Sequence, residues 1–100
     1  MNGVAQADDC AILIPAYNEA GRVADVVRVA LEARLGTVLV IDDGSRDNTS
    51  AVAVAAGAQV LRLDPNRGKG GAVAAGVRAL DTDVVVLLDA DLVGLKPSHL

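Results

Sequence analysis

The sequence is almost devoid of aromatic residues: Tyr17 is the one aromatic side chain among 100 residues, and Trp and Phe are absent. Any core must therefore be built from aliphatic side chains, chiefly Val, Ala and Leu. Because 52% of the residues are hydrophobic, the composition argues against an intrinsically disordered protein. A chain of this length predicts one domain with a modest core.

Cysteine and long apolar runs are equally scarce. Cys10 is the single cysteine, so an internal disulfide is excluded, and the count is compatible with the reducing cytoplasm in which we expect the protein. Residues 1–9 lack the basic and apolar regions of a secretory signal and are expected to form a flexible N-terminus. No apolar run approaches the ~20 residues of a membrane span, so none is expected.

An excess of basic charge is also missing. The formal net charge is −4 and the isoelectric point is about 4.7. An acidic chain does not offer the attraction that nucleic acids and anionic membranes require, and we expect neither as a partner. An anionic nucleotide would need a cation to offset the repulsion.

Short apolar runs alternate with stretches of helical periodicity. This pattern predicts βαβ units, right-handed crossovers and an α/β fold with a Rossmann-like parallel sheet of about four strands and flanking helices. Asn18 is the expected N-cap of the first helix and Gly36 its C-terminal glycine, while Asp47 or Asn48 and then Gly57 bound the second. The predicted strands span 11–14, 37–41, 59–63 and 84–88, and the predicted helices span 19–35, 49–56 and 70–80.

Two of the predicted strands end in paired carboxylates. Asp89 and Asp91, an Asp-X-Asp motif, follow the fourth strand, and Asp42 and Asp43 follow the second. Continuous apolar strands are typical of parallel sheets buried on both faces, and ligands of open α/β sheets bind at the carboxyl ends of the strands. Both acidic pairs are therefore expected in one crevice, where Asp89 and Asp91 suit a hard divalent cation completed by substrate phosphates.

The loop after the first strand, Pro15-Ala16-Tyr17-Asn18-Glu19, reaches the same sheet edge. It could offer backbone amides to a ligand, the Tyr17 ring to a base and the Glu19 carboxylate to a ribose hydroxyl. Equally, Asn18 and Glu19 could simply cap a helix. The Asp42-Asp43-Gly44-Ser45 segment has the same two interpretations, because these residues are ordinary turn formers.

The loop after the third strand, Asn66-Arg67-Gly68-Lys69-Gly70-Gly71, opens a helix with two cations and favours an anion. It is not a Walker A loop, because Gly70 stands where Ser or Thr is required. It is not a dinucleotide fingerprint, because Val73 stands where the third glycine is required. A tight turn with solvated charges remains the alternative.

Taken in order, these four loops resemble the nucleotide-sugar half of family-2 glycosyltransferases of the GT-A fold, over about residues 10–100. The resemblance implies a nucleotide-diphospho-sugar donor, such as a UDP- or GDP-sugar, with Mg²⁺ or Mn²⁺ under its diphosphate. It also implies that Asp91 is the principal metal ligand and that Asp89 faces the ribose or the metal. The remaining implied donor contacts are Pro15, Ala16, Tyr17 and Glu19 for the base and ribose, Asp42 for the base, and Lys69 for the nucleotide.

Other features concern the rest of the protein. Pro97-Ser98-His99-Leu100 is typical of a helix start, so the domain is expected to continue beyond it. No catalytic base is identified among these residues. The segment alone is expected to be inactive and prone to association or instability, and a homo-oligomer is one possible state. Dolichol-phosphate mannose synthases usually continue the acidic triplet with Leu-Gln, whereas Leu92 here is followed by Val93-Gly94-Leu95. This departure favours soluble bacterial members such as those similar to glucosyl-3-phosphoglycerate synthases.

Two alternatives to a glycosyltransferase stay open. A sugar-nucleotidyltransferase has a related architecture, but the resemblance would then require a Gly-rich, Arg-bearing loop after the first strand. The Pro15–Glu19 segment is not such a loop. A nucleotide-binding module without turnover would retain every motif seen here.

Overall fold

The computed structural model describes residues 10–91, which form four strands and three helices in alternation. Each strand lies within two residues of its predicted bounds, so the predicted order of elements is confirmed. The elements are β1 (Cys10–Ala16), α1 (Val23–Ala33), β2 (Thr37–Asp42), α2 (Thr49–Ala56), β3 (Gln59–Arg62), α3 (Gly68–Ala79) and β4 (Val84–Leu87).

The strands form one parallel sheet in the order β3-β2-β1-β4, which confirms the Rossmann-like α/β class. β1 is central: Ile12 pairs with Val38 of β2 on one side and with Val86 of β4 on the other. The middle residues of β1 and β2 are buried on both faces, as their continuous apolar sequences predict.

Alternate residues of the strands feed two separate apolar layers. Ile12 and Val40 pack on the face covered by α1 and α2, whereas Leu13 and Ile41 pack on the opposite face, against α3. The period of two along a strand explains this division, since neighbouring side chains point to opposite faces. The sheet is therefore sandwiched between helices on both sides.

The chain changes direction across the sheet after β3. From β1 to β3 it steps outward one strand at a time, and then α3 carries it back over two strands to β4. Because crossovers are right-handed, this reversal places α3 on the face opposite α1 and α2. The reversal falls between β1 and β4, so the carboxyl ends of these two neighbouring strands form the kind of switch point at which other doubly wound sheets have a crevice.

The predicted ends of the first helix are wrong. Asn18 has a left-handed backbone (φ +54°) and α1 begins only at Val23, so Asn18 is not its N-cap. At the other end Arg34 (φ +54°), rather than Gly36, is the left-handed residue that closes the helix. The end of α2 at Gly57 (φ +108°) is as predicted.

β4 is less buried than its apolar sequence predicts. The side chains of Val84 and Leu87 are about half exposed, because within residues 10–91 this strand lies at the edge of the sheet. The flexible tail predicted for residues 1–9 and the helix start predicted at 97–100 lie outside the described residues. None of the described helices has the length and apolarity needed to cross a membrane.

Gly76 allows α3 to lie close to the sheet. A Cβ atom at this position would lie 2.6 Å from Leu13 Cδ1 and 2.7 Å from Ile41 Cδ1, both in the buried core. At Gly70, on the same helix, an added Cβ would meet no atom within 4 Å. The two glycines therefore form a matched pair for testing the packing.

We expect Gly76→Ala to destabilise the protein relative to Gly70→Ala by about 1–3 kcal/mol, the usual cost of overpacking a core. Both substitutions gain helix propensity of up to ~1 kcal/mol, so their difference isolates the clash. Urea denaturation of the two variants measures it. Equal free energies of unfolding would show that α3 and the sheet separate without cost.

Candidate functional site

A cavity of about 200 Å³ opens at the carboxyl ends of β1 and β4, in the crevice created by the chain reversal. It is smaller than the pockets that enclose a complete drug-sized ligand, so it has room for only part of a ligand of that size. Every predicted site residue except Asp42 lines it. The lining comprises Pro15, Ala16, Tyr17, Glu19, Asp43, Lys69, Ala72, Asp89, Ala90 and Asp91.

Asp42 is buried beneath the site, so the prediction that both acids of the second pair line the crevice is wrong for this residue. Its carboxylate accepts hydrogen bonds from the Ser45 amide (2.9 Å), the Ser50 hydroxyl and Arg62 Nη1 (3.0 Å). Arg62 also donates to the Ser45 carbonyl (2.9 Å). Asp42 thus ties the end of β2 to α2 and β3 and has little capacity left for a ligand.

Strand alternation explains this placement. Asp42 continues the series Val38, Val40 toward α1 and α2, whereas Asp43 continues the series Leu39, Ile41 toward α3, whose residues Lys69 and Ala72 line the cavity. Burial by itself would raise the pKa of Asp42, but the hydrogen bonds from Ser45 and Ser50 and the Arg62 charge hold that pKa below its usual value. Asp42 is therefore ionised at neutral pH.

Asp43 is the acid of this pair that lines the cavity. Its amide donates to the Ala16 carbonyl (2.8 Å), which joins the ends of β2 and β1. Its Oδ1 accepts the Arg67 amide (2.7 Å), and its carbonyl accepts Asn66 Nδ2 (2.9 Å). Gly44 must follow it, because its φ is +78° and an added Cβ would lie 3.1 Å from the Asn66 amide nitrogen.

The loop after β1 is held by three side chains from the segment after β2, Ser45, Asp47 and Thr49, which we call the amide clasp. Ser45 Oγ accepts the Asn18 amide (2.8 Å), Thr49 Oγ1 accepts the Glu19 amide (3.0 Å), and Asp47 Oδ2 accepts the Ala20 amide (3.2 Å). The expectation that the Pro15–Glu19 loop offers backbone amides to a ligand is therefore wrong for Asn18 and Glu19, and the amide of the next residue, Ala20, is bound in the same way.

Among the described residues, only Glu19 has a buried side-chain polar atom without a hydrogen-bond partner. Its Oε2 atom is buried and has no hydrogen-bond partner, although the residue lines the cavity. Buried acceptors without partners are costly, and such an atom in a binding pocket fits a donor supplied by a ligand. Tyr17, next to Asn18, is about half exposed at the same wall.

The opposite wall carries the charges predicted for the diphosphate end. Lys69 Nζ, in the first turn of α3, forms an ion pair with Asp89 Oδ1. This hydrogen bond, the charge of Asp89 and the charge of Asp91 raise the pKa of Lys69 above its ordinary value, so the lysine stays protonated at neutral pH. Asp89 and Asp91 are both exposed to solvent.

The carboxylates do not form a complete metal cage. Among residues 10–91, no group of three His, Cys, Asp or Glu side chains could by itself hold a metal ion. Asp89 and Asp91 can supply hard oxygen ligands of the kind that Mg²⁺ and Mn²⁺ accept. The remaining ligands would have to come from elsewhere, as when Mg²⁺ is shared with substrate phosphates.

Comparison with known proteins gives concordant results. The family described as Glycosyl transferase family 2 matches residues 11–97. Glycosyltransferase AglJ of Haloferax volcanii is 41% identical over 85 residues, covering 84% of this chain and 28% of its own length. An undecaprenyl-phosphate 4-deoxy-4-formamido-L-arabinose transferase of Sodalis glossinidius is 38% identical over 96 residues, covering 85% and 29%.

A solved structure supports the same assignment. Glucosyl-3-phosphoglycerate synthase of Mycobacterium tuberculosis, in complex with Mn²⁺, UDP and glucosyl-3-phosphoglycerate, superposes with a TM-score of 0.81 at 28% identity, covering 88% of this chain and 35% of its own. The chain thus spans about a third of the length of these relatives. Because a glucosyl-3-phosphoglycerate synthase and a transferase named for undecaprenyl-phosphate both match, the comparisons do not decide whether the chain is nearer to the soluble bacterial members that Val93-Gly94-Leu95 favours.

The Asp42 network predicts acid sensitivity. A folded-state pKa below the unfolded value means that the carboxylate stabilises the fold above the unfolded pKa of ~3.9 and loses this effect as the pH falls through the folded pKa. We expect Asp42→Asn to cost about 1–3 kcal/mol at pH 7, because hydrogen bonds to a charged acceptor are lost. Asp47, whose pKa is lowered chiefly by the Thr49 hydroxyl, contributes in the same acid range.

Urea denaturation from pH 7 to pH 3 checks this expectation. The free energy of unfolding should fall less steeply below about pH 4 in Asp42→Asn than in the wild type. Asp83→Asn, just before the amino end of β4, is the control and should follow the wild-type curve of unfolding free energy against pH. A wild-type acid slope in Asp42→Asn would contradict the role given to its carboxylate.

Proposed function

The chain belongs to glycosyl transferase family 2, and from this membership we propose that its cavity binds the nucleoside diphosphate portion of a sugar donor. The full-length protein would then transfer the sugar to an acceptor. The observation that carries the proposal is the lining of the cavity, where four carboxylates and one lysine meet at the chain reversal.

The charge of this lining supports a cation-dependent ligand. Glu19, Asp43, Asp89 and Asp91 bring four negative charges against the single positive charge of Lys69. A diphosphate would be repelled by such a surface unless a divalent cation came with it. This balance argues against a free phosphate or another simple anion as the natural ligand.

Asp89 and Asp91 are the residues that would hold the cation. They are one residue apart at the end of β4, they are exposed, and their oxygen atoms suit Mg²⁺ or Mn²⁺. The bound ion would supply Lewis-acid neutralisation of the charge on the departing diphosphate. The Mn²⁺ and UDP in the related Mycobacterium tuberculosis complex support this assignment.

The β1 wall suits the nucleoside. The unpartnered Glu19 Oε2 would accept a hydrogen bond from a ribose hydroxyl, and the Tyr17 ring offers an aromatic surface to the base. Pro15 and Ala16 complete this wall. Asp43 takes the base-facing role that the sequence suggested for Asp42, because Asp43 lines the cavity and Asp42 does not.

Lys69 would contribute at the diphosphate end. Its ammonium lies beside Asp89 in the first turn of α3 and remains charged at neutral pH. An ammonium is a point charge that binds phosphate oxygens without fixed geometry. We therefore propose that Lys69 contacts the diphosphate of the donor.

The first prediction from this proposal concerns the cation. We expect UDP or GDP to bind the full-length protein at least tenfold more tightly in MnCl₂ or MgCl₂ than in EDTA, because the acidic lining repels an uncompensated diphosphate. Isothermal titration calorimetry measures both affinities. Equal affinity in the two buffers would refute the proposal, and uridine without phosphate serves as the control ligand that should not respond to the cation.

The second prediction concerns Asp91. We expect Asp91→Asn to remove most of the gain in nucleotide affinity that Mn²⁺ provides and to leave the stability within about 0.5 kcal/mol of wild type, because the side chain is exposed. Asp83→Asn makes the same chemical change at the other sheet edge and should keep the full gain. Calorimetry and thermal unfolding of both variants provide the measurements; an unchanged Mn²⁺ effect in Asp91→Asn would exclude it as a metal ligand.

A further inference from the structure

The amide clasp carries an inference that reaches beyond the residues of the cavity. Ser45, Asp47 and Thr49 do not line the cavity, yet they bind the three consecutive amides of Asn18, Glu19 and Ala20. Two of the residues at this part of the β1 wall, Tyr17 and Glu19, lie within or next to the bound stretch. The clasp therefore connects residues outside the site to the shape of the site.

We propose that Thr49 and Asp47 are positioning residues for the donor, and that they act by fixing the backbone from which Tyr17 and Glu19 project. This inference rests on the proposed function, since it concerns the affinity of the same cavity for a nucleoside diphosphate. It gives Asp47 a role beyond the helix capping that the sequence suggested for it, and it gives Thr49 a role that the sequence did not suggest.

Thr49 shows that the clasp is more than a packing contact. The residue is fully buried, and a valine of the same shape would fill its space. Its hydroxyl instead accepts the Glu19 amide at 3.0 Å and donates to Asp47 Oδ1. One hydroxyl thus links the β1 loop to Asp47 as both an acceptor and a donor.

Asp47 is specifically suited to complete the clasp as a carboxylate. Its two oxygens accept three donors: the Ala20 amide (3.2 Å), the Thr49 amide (3.0 Å) and the Thr49 hydroxyl. An asparagine in its place would offer one acceptor oxygen and turn an NH₂ group toward the remaining donors. The negative charge also favours all three hydrogen bonds.

The backbone of Asn18 makes the direction of the neighbouring side chains depend on the clasp. Its left-handed conformation (φ +54°) is uncommon for a residue other than glycine. The loop holds it from two sides, because its amide donates to Ser45 Oγ and its Oδ1 accepts the Arg46 amide at 2.8 Å. Relaxation of Asn18 would change the relative direction of Tyr17 and Glu19, which flank it.

Thr49→Val in the full-length protein tests the inference, with UDP and GDP, each in MnCl₂, as probes. We expect the substitution to weaken nucleotide binding about tenfold, because it leaves the Glu19 amide without its acceptor and frees the loop. Amide hydrogen exchange at residues 18–20 should accelerate in the same variant. Thr49→Ser, which keeps the hydroxyl, should restore both properties to near the wild-type values.

Two controls and a second clasp variant separate positioning from general stability. Thr37→Val makes the same substitution at the first residue of β2, at the amino end of the strand and away from the cavity, and should leave affinity unchanged. Val26→Ala removes buried methyl groups from α1 without touching the clasp, so it should lower stability while preserving affinity. Asp47→Asn, an exposed change that does not disturb the core, should weaken binding about threefold even if Thr49→Val folds poorly.

The outcomes distinguish this inference from the proposed function. If the wild type binds the nucleotides and Thr49→Val binds them equally well despite faster exchange, the positioning role is overturned and the proposed function stands. An affinity loss in Val26→Ala equal to that in Thr49→Val would also overturn it, because stability alone would then explain the effect. If the wild type binds neither nucleotide, the proposed function itself fails, and the positioning role fails with it.

Discussion

The need to bury both faces of β1 and β2 is the constraint on which the rest of the structure depends. Two central strands of continuous apolar sequence cannot leave either face in water, so helices must cover both sides. With right-handed crossovers, the only way for the chain to reach the second face is to reverse its direction across the sheet. That reversal falls between β1 and β4, and the cavity lies at the carboxyl ends of these two neighbouring strands. The site is thus a consequence of how the core is covered.

The features of the fold that follow from local chemistry could be predicted from the sequence. The apolar runs located all four strands, and Gly57 marked the end of α2 because it supplies the left-handed backbone there. The start of α1 was mispredicted for a tertiary reason. Asn18 looks like a cap, but its amide and side chain are engaged by Ser45 and Arg46 across the sheet edge, and the helix starts later. Hydrogen bonds between residues some 28 positions apart leave no trace in a local pattern.

The same distinction applies to the site. Strand-end positions correctly brought Glu19, Lys69, Asp89 and Asp91 to one cavity, because parallel strands end at a common edge. To decide whether Asp42 or Asp43 lines the cavity, one must know which face of β2 meets α3. That face is fixed only by the reversal of the chain. Alternation along Val38, Val40 and Asp42 would have shown that these residues share a face. It could not have shown which face the ligand side occupies.

The amide clasp restrains the β1 wall of the cavity more strongly than the β4 wall is restrained. On the β1 side, three consecutive amides are bound to side chains from the neighbouring strand's loop, so the backbone there has little freedom to adapt. On the β4 side, Lys69, Asp89 and Asp91 are exposed side chains whose main mutual restraint is one solvent-accessible ion pair. A ligand entering this cavity therefore meets a restrained backbone on the β1 side and adaptable side chains on the β4 side. Selectivity for the shape of the ligand would depend on the restrained β1 wall, and tolerance of different charged groups on the adaptable β4 wall.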